Sequence, residues 1–187
     1  MKQNNIHSVL AKHPVIPVVT IHSEDEIASI IKTLDEQNIS CIEITLRTDF
    51  AIKAVRIVKA RYGERISVGV GTVISSEQVD ELETIRPHFI VSPGLTASLY
   101  HRLMRSGIPF IPGASTPSEI IQAVELGCDT LKFFPAHLFG GISALETYGN
   151  VFPAVKFCPT GGVNESTYED YLALDNVISV GGSWMVK

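Results

Sequence analysis

The sequence predicts an α/β fold, a short (β/α)8 TIM barrel with an N-terminal helix and lacking the final helix. Three observations predict it. Eight short runs rich in β-branched and aromatic residues start 21 to 26 residues apart, and segments with helical apolar spacing separate them. Helix-start and helix-stop residues fall at the junctions. Strand–helix alternation requires parallel pairing with right-handed crossovers, and eight such units favour closure over an open doubly wound sheet.

Taken in order, a short helix over Ile6 to Lys12 is expected to cap the bottom of the barrel. The first strand is Val15–Ile21 (VIPVVTI). Ser23 and Glu26 then form a capping-box pattern ahead of Ile27, Ile30, Ile31 and Leu34, which share one helix face. Cys41–Thr45 (CIEIT) is the second strand, and Ile52, Val55 and Val58 mark the next helix. Ile66–Val70, His88–Val91 and Pro109–Ile111 are the third, fourth and fifth strands. Thr116 precedes Pro117 at the first helical position and Glu119 at the third, while Gly107 and Gly127 fall where helix C-caps belong. Thr130–Phe133, Val155–Cys158 and Val177–Val180 complete the eight. Only Trp184 to Lys187 follow the last glycine loop, too few for a stable helix, so no eighth helix is expected. No Pro/Ser-rich linker or charge run divides the chain, and residues 1–187 read as a single domain.

Composition narrows the function classes. Acidic residues outnumber basic ones, 20 to 15, so the chain lacks the basic excess of a nucleic-acid binder. The longest stretch free of Asp, Glu, Lys and Arg, Pro87–His101, is shorter than the about 20 apolar residues of a membrane span. The N-terminus lacks the apolar block of a secretion signal, and Cys41, Cys128 and Cys158 form no CxxC pair. A cytoplasmic protein with neither membrane nor nucleic-acid partners is expected. The six histidines are scattered, so no metal site is expected. Gly69-Val70-Gly71-Thr72-Val73-Ile74 has Ile where a dinucleotide fingerprint requires its third glycine.

In a barrel, alternate strand residues face inward and the chemistry gathers at the strands' C-terminal ends. If Ile42 and Ile44 face the helices, Glu43 faces the lumen; if Leu131 and Phe133 face the helices, Lys132 faces the lumen too. A carboxylate and an amine therefore converge. Two readings stand: a structural ion pair that fills the barrel, or a nucleophilic amine beside a general base, the minimum kit for imine chemistry. Arg47 is either a surface arginine at a helix start or a guanidinium fork for a carboxylate. Gly161-Gly162 and Gly181-Gly182-Ser183 are either tight turns or a phosphate cradle built from backbone N–H groups. The pattern alone leaves open a phosphate-binding isomerase or synthase without an imine, and a catalytically silent anion-binding barrel.

EITLRT (Glu43–Thr48), GVGTV (Gly69–Val73), SPG (Ser92–Gly94), IPGASTPSE (Ile111–Glu119), LKFFPA (Leu131–Ala136), FCPTGG (Phe157–Gly162) and VGGSW (Val180–Trp184) follow one another at near-constant spacing. In these motifs the chain closely resembles the KDPG aldolase family, the 2-dehydro-3-deoxy-6-phosphogluconate / 4-hydroxy-2-oxoglutarate aldolases. The resemblance implies that Lys132 forms a Schiff base with C2 of a 2-keto acid and that Glu43 shuttles protons, partly through water. It implies that Arg47 and Thr72 hold the pyruvyl carboxylate and that Pro93 and Phe134 line the pyruvyl pocket. By the same resemblance Thr160 meets the aldehyde half, and Gly161, Gly162, Gly181, Gly182 and Ser183 bind phosphate. It implies no cofactor, because lysine itself supplies the electron sink, and it implies a homotrimer. The relatives continue past GGSW into an eighth helix.

Overall fold

The computed structural model describes residues 3 and 5–186, so Lys187 lies outside the described residues. The strands are β1 (Val15–Val19), β2 (Cys41–Thr45), β3 (Ser67–Gly71), β4 (Phe89–Val91), β5 (Phe110–Ile111), β6 (Gly113–Ala114), β7 (Thr130–Phe133), β8 (Lys156–Pro159) and β9 (Val180–Gly182). The helices are α1 (Ile6–Leu10), α2 (Glu24–Glu36), α3 (Ala51–Tyr62), α4 (Ser76–Ile85), α5 (Ala97–Ser106), α6 (Pro117–Glu125), α7 (Gly141–Val151) and α8 (Tyr168–Leu172). After β9 the chain makes a short 3-10 turn, Trp184–Val186.

The expected closed eight-stranded barrel needs correction. The strands form two parallel sheets, one of six in the order β5-β4-β3-β2-β1-β9 and one of three in the order β6-β7-β8. Two prolines explain the breaks. The expected fifth strand, Pro109–Ile111, stops short of Pro112, whose carbonyl accepts from Lys132 N (2.8 Å), and the chain goes on in the other sheet as β6. A strand residue turns its N–H and C=O to the same side, so the N–H that proline lacks is one that would have faced β7. Phe157 N donates to Asn176 O (2.7 Å), away from β7. Two residues on, Pro159 has no N–H to repeat that bond. The β8–β9 seam therefore holds only isolated bridges, Phe157 to Val177 and Thr160 to Gly181. The last strand is also displaced: Val177 and Ile178 stay irregular, and the ladder with β1 begins at Val180.

Helix signals are met unevenly. Thr116 and Glu119 close a capping box with Pro117 at the start of α6. Ser23 is the N-cap of α2 but makes no capping bond with its side chain; Glu26 Oε2 instead accepts from His22 N (3.0 Å). A second capping box, Ser75 with Gln78, starts α4. The buried faces carry the stability. Ile27, Ile31 and Leu34 of α2 each remove a side chain from water, worth about 1.5–3 kcal/mol before ordering costs.

Two apolar layers result. Ile42, Ile44, Leu131 and Phe133 join the helices in the larger one. The smaller gathers Ile16, Cys41, Phe89, Val91, Ile111 and Cys158 from the strands with Ile6 and Leu10 of α1, so the first helix stoppers the interior. Among the described residues no helix is long and apolar enough to cross a membrane.

Candidate active site

Strand alternation sets the site. In β2, Ile42 and Ile44 pack with the helices, so Glu43 points the other way, one inward step above Cys41. In β7, Lys132 lies between the helix-facing Leu131 and Phe133. The two side chains meet: Lys132 Nζ is 3.2 Å from Glu43 Oε1, with the residues 5% and 3% exposed. An ion pair this deep survives because each charge is the other's partner.

The surroundings constrain both. Gly71 of β3 leaves room for Glu43, since a Cβ there would overlap the Glu43 carboxylate. Gly71→Ala is accordingly expected to displace the carboxylate, and any chemistry that depends on its position should fall about 10²-fold, the scale of a 1 Å misplacement, with circular dichroism unchanged. Full retention of that chemistry would show that the position of Glu43 is not critical. The Phe134 ring centroid lies 5.1 Å from Lys132 Nζ. Phe134 is itself pinned, because its carbonyl accepts from Ser115 Oγ. Ser115 is held in turn: its N donates to Glu119 Oε2 (2.8 Å) and its carbonyl accepts from Tyr148 OH (3.0 Å). Cys158 pairs in register with Lys132, but burial pushes its thiol up to about 11. It stays protonated at neutral pH and offers no thiolate to compete with the amine.

A cavity of about 430 Å³ is lined by Arg47, Phe134, Thr160, Gly161, Gly162, Gly182 and Ser183, with Val18, Thr20 and other residues. Glu43 and Lys132 do not themselves line it; Val18, the register partner of Glu43, and Phe134, whose ring lies 5.1 Å from Lys132 Nζ, join its wall to the ion pair. Gly161 (φ 91°) and Gly162 (φ 81°) are both in the left-handed region, where two successive side chains would be strained. Their loop is tied to the turn after β7 by Ala136 N to Thr160 O (2.8 Å) and His137 N to Gly161 O (3.1 Å).

Not every expected residue lines this cavity. Gly181 is buried beneath it, bridged to Thr160. Thr72 and Pro93 lie outside the lining, just past β3 and β4. Thr72 is half-buried with φ 61°, a left-handed conformation that a β-branched residue adopts only under constraint. The sequence reading assigns no role to Thr20 or to Thr45, although Thr45 lies within EITLRT. Their hydroxyl oxygens are 2.9 Å apart at the rim of the lumen. The alternation that points Glu43 inward is the signal that finds both, because Thr45 is two residues beyond Glu43 and Thr20 two beyond Val18.

Comparison with known proteins gives a consistent result. The model of the family described as KDPG and KHG aldolase matches residues 6–187. A KHG/KDPG aldolase of Escherichia coli strain K12 is 39% identical over 184 residues, covering 98% of this chain and 86% of that protein. A 2-dehydro-3-deoxy-phosphogluconate aldolase of Dickeya dadantii is 38% identical over the same shares. Among solved structures, the KDPG aldolase of Legionella pneumophila, with pyruvate captured as a covalent carbinolamine intermediate, superposes with a TM-score of 0.91. It is 41% identical and covers 95% of this chain and 86% of its own. The 2-keto-3-deoxy-6-phosphogluconate aldolase of Zymomonas mobilis, with 3-phosphoglycerate, gives a TM-score of 0.92 at 36% identity, covering 97% and 86%.

Proposed function

The chain belongs to the KDPG and KHG aldolase family and is a class I aldolase, and from that premise we propose how its residues divide the work. The observation that carries the proposal is the buried amine of Lys132, 3.2 Å from the Glu43 carboxylate. The substrates are 2-dehydro-3-deoxy-6-phosphogluconate and 4-hydroxy-2-oxoglutarate, small 2-keto acids of which the first is phosphorylated.

Lys132 Nζ adds to the C2 carbonyl, and loss of water gives a protonated imine. Glu43 takes the C4 hydroxyl proton as the C3–C4 bond breaks, and the bonding electrons pass into the imine to form an enamine. The aldehyde leaves as glyceraldehyde 3-phosphate or glyoxylate. Glu43 returns its proton to C3, and water hydrolyses the imine to release pyruvate. Nothing outside the chain is needed as an electron sink.

Arg47 supplies a fork for the pyruvyl carboxylate from the cavity wall, Thr72 just past β3 helps to hold it, and Pro93 and Phe134 line the pyruvyl pocket. Thr160 meets the aldehyde half, while the loops at Gly161-Gly162 and Gly181-Gly182-Ser183 receive the phosphate. Arg47→Lys is expected to weaken pyruvate binding roughly 10-fold, because an ammonium cannot make the paired contact. Titration of pyruvate against the rate of imine trapping measures this, and an unchanged affinity would move the clamp elsewhere.

The test of the whole reading is reduction with borohydride in the presence of pyruvate. Mass spectrometry should find one pyruvyl adduct, and peptide mapping should place it on Lys132; an adduct on any other lysine overturns the assignment. We further propose a cytoplasmic homotrimer. The three free, buried cysteines suit a reducing compartment, and light scattering should return three times the subunit mass.

A further inference from the structure

In β1, Ile16 faces the inner layer, and alternation carries Val18 and Thr20 to the same side. Val18 pairs in register with Glu43. One inward step higher, Thr20 Oγ1 lies 2.9 Å from Thr45 Oγ1. Thr45 is fully buried and its hydroxyl donates to Val19 O (3.1 Å). A threonine has a single hydroxyl proton, so the donor in the Thr20–Thr45 bond is Thr20. With its proton committed, Thr20 offers the cavity only lone pairs. Among the described residues its hydroxyl has no other partner.

Such an acceptor selects. It favours a ligand hydroxyl, which brings a proton, and disfavours carboxylate or phosphate oxygens, which bring further lone pairs. Its place in the sheet says which hydroxyl. β1 lies between β2, which carries Glu43, and β9, which carries Gly182. A substrate whose C4 hydroxyl meets Glu43 and whose far end reaches the glycine loops must pass β1 on the way.

Resting on the imine reading above, we propose that Thr20 is a specificity-determining residue. It accepts a hydrogen bond from the hydroxyl on the carbon next to the cleaved bond, C5 of the six-carbon keto acid and C2 of the aldehyde product. The cavity is thereby matched to 2-hydroxyaldehydes.

The experiment runs the reaction as aldol addition of pyruvate to two phosphorylated aldehydes. One is D-glyceraldehyde 3-phosphate and the other is 3-oxopropyl phosphate, the same molecule without its C2 hydroxyl. The quantity read is the ratio of their kcat/KM values. Thr20→Val, which keeps shape and leaves Thr45 bonded to Val19, should lower that ratio roughly 3- to 10-fold, the worth of one net hydrogen bond. Thr20→Ser should restore it. A ratio unchanged in Thr20→Val, or a valine effect that serine does not rescue, overturns the proposal. Borohydride trapping of pyruvate on the same samples separates two failures. Normal trapping with an unchanged ratio removes the Thr20 assignment alone, whereas no trapping in the native chain removes the imine reading beneath it.

Discussion

Lys132→Ala is expected to lose aldol cleavage entirely and to form no borohydride-stable adduct with pyruvate. It should also be less stable, because truncating one member of a buried pair strands the other, at about 3–5 kcal/mol. Stability loss alone would equally follow from a purely structural pair, so a second variant separates the two roles. Lys132→Met combined with Glu43→Leu removes both charges and replaces them with apolar bulk. Replacements of that kind are neutral or stabilising in other buried pairs. The double variant should therefore unfold at a denaturant concentration well above that of Lys132→Ala while remaining inactive. Residual cleavage in either variant would return the pair to a structural role.

Glu43→Gln should behave differently. The amine remains, so pyruvate should still be trapped on Lys132. Proton transfer at C4 and C3 loses its carboxylate, and turnover should fall at least ~100-fold, the usual scale for an acid–base group. Trapping and steady-state cleavage measured on one preparation make the comparison. Near-normal turnover would show that Glu43 only accompanies the lysine.

Local alternation makes the meeting of Glu43 and Lys132 legible in the amino-acid sequence alone. Ile42, Ile44, Leu131 and Phe133 pack with the helices, and the polar residues between them have one other direction to face. The same rule, extended to Val18–Thr20 and to Thr45, reaches the hydroxyl pair at the rim. The closed barrel fails for a reason that periodicity does not carry. The strand expected over Pro109–Ile111 has no sign in its composition of a sheet change, yet at Pro112, which lacks an N–H, the chain passes from one sheet to the other. Val177–Val180 looks like a strand by propensity, yet only its last residue, Val180, enters the ladder with β1. Ser23 shows the limit of capping patterns: the residue types are right, but only the glutamate makes a bond.

The two-sheet arrangement has a consequence for assembly. Glu43 belongs to the six-stranded sheet and Lys132 to the three-stranded one, 89 residues apart in sequence. On the roles proposed above, neither sheet alone contains a working centre, and Glu43 meets Lys132 only after the long loop between them has closed. On those roles aldol cleavage requires the two sheets to be docked, whereas imine formation on Lys132 does not depend on Glu43. Recovery of aldol cleavage during refolding would consequently act as a clock for the docking of the two halves, read out separately from the growth of helix.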